Sequence, residues 1–438
     1  VLVSRTVAIA DADPAPDAIL ARLDAQAPFA FAWRDGPGDR TVVGLDRAWT
    51  APGSGAGLPA WPQAEAAWQA LLAEADVEAA GGVGPALCAY APFDPGRTPV
   101  GRVWSRFGGG GMVLPRVVFT SVGGVVYRTE NRLVGADGEP WCDEAAPAYD
   151  LGRAYTAAGA GAGDPDAWRA LVGAAAEAIA AGDLAKVVAA RSRDVRFGAD
   201  PVAIVRRLAR RQPDAFTYAV VAGGATFCGA TPELLVRVDG ERVESLCLAG
   251  TTARGGGRGE DARLGRDLRA SVKERSEHAL VREAVVASLA RTCEAVTIAA
   301  EPSLRALRDL QHLASPVSAR LRPGFGVLDV ACDLHPTPAV AGAPRQAALD
   351  WLRAREDLDR GLFGGPVGLL GADGDGTLAI ALRCGLLDPD AGVARLFAGC
   401  GLVAGSDADR EWQETELKMR VMQAALDGER DREGVGGA

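Results

Sequence analysis

Helices interleaved with paired, strand-like runs narrow the fold more than any other feature of this chain. The helical spacing of "DAWRALVGAAAEAIAAGDL", from Asp166, leads into the strand-like "AKVVAARSRDVRF". A second helix near "PVAIVRRLARRQ" precedes "AFTYAVVAGGATFCGA" and "ELLVRVDGERVESLCLAG", which read as antiparallel strands turning at Asp239-Gly240. A glycine-rich loop and one long helix from about Asp261 to Thr292 should follow. After them "GPVGLLGADGDGTLAIALRCGLL" and "ARLFAGCGLV" read as three more strands. The "DGDG" at 373–376 opens like a calcium loop, but Cys384 stands where that loop needs its last carboxylate, so it reads as a hairpin turn. A parallel, doubly wound sheet would alternate strand and helix regularly. This chain does not, and the pattern selects an α+β fold.

The first 130 residues carry further strand-like runs, "RTVAIA", "FAFAW", "TVVGL" and "RVVFTSVGGVVYR", and one helix, "QAEAAWQALLAEA" at 63–75. Residues 134–165, rich in Gly, Ala, Pro and Asp, read as a linker, and their "GAGAG" lacks the Gly-Lys-Ser/Thr ending of a phosphate loop. The expected organisation is an N-terminal region over 1–160, a main region over 165–428 and a polar tail over 429–438.

Composition excludes several classes. A net charge of −10 argues against a nucleic-acid surface, which needs a basic face. Only three histidines, His278, His312 and His335, are present to build a His-based metal centre or hydrolytic triad. The eight cysteines show no C-x-x-C spacing and read as reduced, buried thiols. No run of 18 apolar residues suggests a membrane span, and "VLVSRTVAIADADP" lacks the pattern of a secretory signal. The expectation is a cytoplasmic monomer with neither nucleic acid nor membrane as partner.

Two helices break the usual separation of charge from apolar surface. In "SDADREWQETELKMRVMQAAL" (406–426), Glu411, Glu414, Lys418, Met422 and Ala425 fall within about 80° of one another on a helical wheel. In "SVKERSEHALVREAVVASL", Val281, Ala284 and Ser288 lie within about 40° of Glu277. Either helix alone reads equally as an ordinary surface helix, with Glu414 and Lys418 as an i,i+4 pair. Together they place carboxylates along two apolar faces with no comparable number of bases on those faces. Buried acids are costly unless paired or coordinating a cation, and oxygen ligands without His or Cys suit Mg²⁺.

In order along the chain stand "KVVAAR" (186–191), "GATPELL" (229–235), "LAGT" (248–251), "KERSEHALV" (273–281), "LHPTPAVAG" (334–342), "LFGGPVG" (362–368), "ALRCGLL" (381–387), "LFAGCGLVAGSD" (396–407) and "EWQETELK" (411–418). With these motifs the chain resembles the chorismate-utilising enzymes, and within them the isochorismate synthases. The resemblance covers residues 165–426 strongly and 1–160 loosely. It implies two large antiparallel sheets packed face to face with helices outside. It also implies Mg²⁺-dependent isomerisation of chorismate by water attack at C2 with loss of the C4 hydroxyl.

By position, the resemblance makes Lys186 the general base for that water and Glu233 the general acid for the departing hydroxyl. His312 stands near the leaving group. Glu277 and Glu414 become the magnesium ligands, with Glu411 supporting the metal through water. Arg383, Lys418 and the backbone of Gly399 would hold the enolpyruvyl carboxylate, and Gly250 would let the backbone approach the substrate. The chain departs from the family pattern at Val272, Ser276 and Ala279, none of them a matched site position. Ala339 and Phe363 stand where lyase and aminating relatives often carry threonine and tyrosine, which implies water as nucleophile rather than salicylate formation or amination. Menaquinone and siderophore routes both remain open for the product.

Overall fold

The computed structural model describes residues 1–94, 96–97, 102–135, 140–141 and 163–428. Most of the expected linker and the polar tail lie outside them. Among the described residues every named strand pairing is antiparallel except Leu2–Ala8 with Asp76–Glu78. The pairings join one network, which divides into two sheets at the strand Gly111–Val122. One edge of that strand pairs with Arg40–Thr50, and the other pairs at its start with Ala86–Tyr90.

From Arg40–Thr50 the first sheet continues through Phe29–Asp35, Phe216–Ala222, Ala225–Thr231, Cys384–Asp388, Val393–Leu402 and Lys186–Arg196. From Ala86–Tyr90 the second continues through Pro366–Gly371, Gly376–Ile380, Leu234–Asp239, Arg242–Ala253 and Leu310–Leu321.

Side-chain alternation explains why the sheets stack. In Phe29–Asp35, Phe29, Phe31 and Trp33 enter one core cluster, while Ala30 and Ala32 enter another. The aromatic cluster joins Tyr218, Phe227 and Phe397 of the first sheet to Tyr90, Val367 and Leu369 of the second. Burying one such side chain contributes about 1.5–3 kcal/mol. The small-residue cluster on the other face of the first sheet takes Ile204, Val205 and Leu208 from the helix Pro201–Arg211, and Met419, Met422 and Ala425 from Ala408–Asp427. A third cluster packs the helices Trp61–Ala73, Val272–Leu289 and Val327–Leu334 against Leu235, Val236 and Val243 of the second sheet.

Two readings of the sequence are corrected. The long helix expected over 261–292 is two helices, Arg258–Ala270 and Val272–Leu289. Ser271 separates them with an extended backbone, and its side chain accepts the Glu274 N–H, so it caps the second helix. The stretch from 366 to 402 holds four strands rather than three, because "ALRCGLL" breaks at Arg383, whose φ is +52°. The "DGDG" segment is the hairpin turn between Pro366–Gly371 and Gly376–Ile380. Ala86–Tyr90, a strand buried throughout, carries no alternating pattern and escaped the sequence reading.

Candidate active site

A cavity with an empty volume of about 720 Å³ opens between strand ends of both sheets and the helices Val272–Leu289 and Ala408–Asp427. Glu233, Gly250, His312, Ala339, Phe363, Arg383, Gly399, Glu277, Glu414 and Lys418 all line it. Lys186 and Glu411 do not; each stands behind a lining residue.

Lys186 opens the strand Lys186–Arg196 and is fully buried. Its Nζ lies 2.9 Å from Glu277 Oε1 but outside hydrogen-bond geometry. The approach depends on Gly401. A Cβ there would sit 2.2 Å from Glu277 Oε1 and 2.8 Å from Lys186 Cε. Lys418 Nζ donates to the Gly399 carbonyl at 2.8 Å and pairs with Glu414 Oε1 at 2.7 Å. Glu411 is 2% exposed and accepts from Lys273 Nζ at 2.6 Å. The bases that the helical faces seemed to lack are therefore present. Lys186 arrives from a strand, Lys273 from the first turn of the other helix, and Lys418 from the same helix.

The opposite charge pattern governs Glu233. It follows Pro232 at the entry to Leu234–Asp239 and is 6% exposed. Burial pushes its carboxyl up to about 7, against the pull of Arg383, Lys186 and Lys418. Arg383 Nη2 donates to His312 Nε2 at 3.2 Å. Guanidinium has no acceptor, so Nε2 is the lone-pair nitrogen and the ring proton sits on Nδ1, 3.3 Å from the Gly250 carbonyl and 3.1 Å from Thr251 Oγ1. Burial, with Arg383 and Lys418 nearby, holds His312 well below the ordinary histidine range, so the ring is neutral. The left-handed backbone of Arg383 is a strained conformation for a side-chain-bearing residue, held here at the cavity wall. Gly250, with φ of +81°, forms a bulge between Ala249 and Thr251 that brings the Thr251 N–H within 3.3 Å of Glu274 Oε2.

Among the described residues no three His, Cys, Asp or Glu side chains stand, as posed, in a group that could hold a metal ion. The donor chemistry nevertheless fits a hard cation. Burial pushes Glu274 up to about 7, and the charges of Glu277 and Glu414 add to that push. Oxygen-only, mutually crowded carboxylates are the environment that a divalent cation relieves.

Residues 1–427 match the family model described as chorismate binding enzyme. The chain belongs to the chorismate-binding enzymes. It is 38% identical over 387 residues to the salicylate biosynthesis isochorismate synthase of Pseudomonas aeruginosa, covering 85% of this chain and 80% of that protein. It is 30% identical over 419 residues to isochorismate synthase MenF of Bacillus subtilis, covering 91% and 88%. The crystal structure of a putative 2,3-dihydroxybenzoate-specific isochorismate synthase from Bacillus anthracis superposes with a TM-score of 0.73 at 27% identity, covering 94% of this chain and 99% of that one. The menaquinone-specific isochorismate synthase of Escherichia coli shares the fold, with a TM-score of 0.76 at 24% identity, covering 97% and 95%.

For this chorismate-binding enzyme the sequence reading missed Glu274, Lys273 and Arg360. Glu274 had a visible signal, because it precedes Glu277 by three residues as Glu411 precedes Glu414. Arg360, which also lines the cavity, had none, since its role depends on carbonyls distant in sequence.

Proposed function

We propose that this chain is an isochorismate synthase, converting chorismate to isochorismate. The observation that carries the reading is one cavity whose wall brings a carboxyl held near neutrality, Glu233, together with the acids Glu277 and Glu414, with the fully buried Lys186 directly behind Glu277 at 2.9 Å. Lys186 takes a proton from water as its oxygen bonds to C2. Glu233 gives a proton to the C4 hydroxyl, which leaves as water as the ring double bonds shift. One water enters and one departs, so the reaction is an isomerisation. A carboxyl that still holds its proton near pH 7 suits the acid role.

Glu277 and Glu414 would hold Mg²⁺, with Glu274 and Glu411 supporting them, and the bound ion would supply positive charge for the ring carboxylate of chorismate. Arg383 and Lys418 face the same cavity and would bind the enolpyruvyl carboxylate, and the neutral His312 orients Arg383. Ala339 and Phe363 bring no hydroxyl to the wall. Phe363 stacks on Phe397 with ring centres 5.3 Å apart. Nothing at those two positions can orient an amine or assist pyruvate elimination, which favours water as nucleophile.

Incubating the protein with chorismate and Mg²⁺, with chromatography of products and lactate dehydrogenase coupling for pyruvate, tests the reading. Isochorismate without stoichiometric pyruvate is expected, and added ammonium should yield no aminated product. Pyruvate formed in step with turnover would make the chain a lyase instead.

A further inference from the structure

The strand that begins with Lys186 has an incomplete edge. On that edge Gly342 and Ala343 pair with Val187 and Lys186, and the Val188 N–H donates to the Ala341 carbonyl at 2.8 Å. There the neighbouring segment leaves, and among the described residues no strand takes up the Val188 carbonyl or the Ala190 N–H. Two side chains do. Arg360 Nη2 donates to the Val188 carbonyl at 2.6 Å, and Glu356 Oε2 accepts the Ala190 N–H at 2.8 Å. The pair is closed internally by Arg360 Nε to Glu356 Oε1 at 2.6 Å and Nη2 to Oε2 at 2.8 Å. Arg360 Nη1 also donates to the Val340 carbonyl at 3.0 Å, and the guanidinium lies 4.2 Å from the centre of the Phe93 ring. Both side chains are at least 95% buried.

We propose that the Glu356–Arg360 pair is a positioning clamp for the reaction. It satisfies the backbone groups that no described strand pairs on the Lys186 strand, and ties that strand to the Ala339–Val340 wall. This rests on the assignment of Lys186 as the base. The geometry explains why arginine is needed. One planar fork serves a carboxylate and two carbonyls from different segments, which a lysine ammonium on a flexible stem cannot reproduce. Neither residue acts on the substrate. Their effect is to fix the distance between Lys186 and the wall against which the ring lies, where a displacement of about 1 Å costs on the order of 10²-fold in rate.

The test uses Arg360→Lys and Glu356→Gln in the full chain, with turnover measured on whichever product the wild type makes from chorismate. Arg360→Lys should lower kcat about 10²-fold with KM and the Mg²⁺ midpoint within about threefold of wild type. Hydrogen exchange should rise in the peptide covering 186–196 and stay unchanged in the Phe216–Thr231 hairpin. Glu356→Gln should lower kcat about tenfold or more, and serves as the readout if the lysine variant fails to fold. Near-normal kcat in a folded variant, or a raised KM at unchanged kcat, would overturn the clamp. A wild type that consumes chorismate without making isochorismate would instead overturn the proposed function, while the kcat comparison would still decide the clamp.

Discussion

The cavity has two kinds of wall. The helical wall, from Val272–Leu289 and Ala408–Asp427, presents Glu277 and Glu414, with Glu274 and Glu411 on the same two helices behind them, and all but Glu274 have a lysine nitrogen within 3 Å. Glu274 has only the Thr251 N–H at 3.3 Å and Lys273 at 3.7 Å. The strand-borne wall presents charges one at a time, each deep and partly uncompensated: Glu233 beside Pro232, and Arg383 against a neutral His312. Crowded acids, one of them without a lysine nitrogen within 3 Å, are a place for a cation. An isolated carboxyl in a dry setting is a place to keep and release a proton. The two walls should therefore separate under test, the helical one responding to metal and the strand one to pH.

The largest expected effect comes from the helical wall. Glu277→Ala or Glu414→Ala should abolish Mg²⁺-dependent turnover and the Mg²⁺-induced rise in melting temperature, while circular dichroism stays native. Glu277→Ala also strips the fully buried Lys186 of its partner 2.9 Å away and should cost stability, so Glu414→Ala, which leaves Lys418 its bond to the Gly399 carbonyl, is the cleaner test of the metal. Unchanged magnesium titration in either variant would break the distinction between the walls at its root.

On the strand wall, Glu233→Gln should lower kcat by 10²- to 10⁴-fold and leave Mg²⁺ binding intact. The sign of its pH dependence follows from the raised pKa. An acid that must be protonated is competent below about 7, so kcat/KM of the wild type should fall as pH rises through that value. Glu233→Gln should lose that alkaline limb along with its rate. A limb that persists unchanged would assign it to another group.

How much of this was legible in the sequence differs by wall. Glu277, Glu411 and Glu414 declared themselves because helical periodicity put them on apolar faces, and local periodicity is a property of neighbours in sequence. The alternating strands and the turn at Asp239-Gly240 were readable for the same reason. Lys186 and Glu233 carried no such mark, since a lysine opening an apolar strand also suits a protected sheet edge, and motif resemblance alone singled them out. The Ser271 break was hidden inside a continuous helical pattern. Lys418 beside Glu414 was legible as an i,i+4 pair, but the Lys186–Glu277 and Lys273–Glu411 pairs, the Arg383–His312 contact and the reach of Arg360 to the Val188 and Val340 carbonyls were beyond reach. Each joins segments that only the paired sheets bring together.

The smallest expected effect is on stability, and it isolates the one acid of the helical wall without a close lysine. Glu274 is raised from about 4.5 to about 7, first by burial and then by Glu277 and Glu414. Below about 4.5 the folded and unfolded chains both hold its proton, and its favourable contribution is fully present. As pH rises, the unfolded chain ionises first while the folded chain still resists, so stability is lost until pH passes about 7. A shift of this direction on a largely buried group corresponds to roughly 1–3 kcal/mol. Metal-free wild type should therefore melt at a lower temperature at pH 8 than at pH 5, and Glu274→Gln should show a shallower decline. The decline should shrink rather than vanish, because Glu233 titrates in the same direction at the same wall-to-wall junction. Mg²⁺ at pH 8 should recover more melting temperature in the wild type than in Glu274→Gln, because the cation relieves a crowding that the glutamine has already removed. Equal slopes in the two proteins would mean that Glu274 is solvated, and that the helical wall carries no more unbalanced charge than the strand wall.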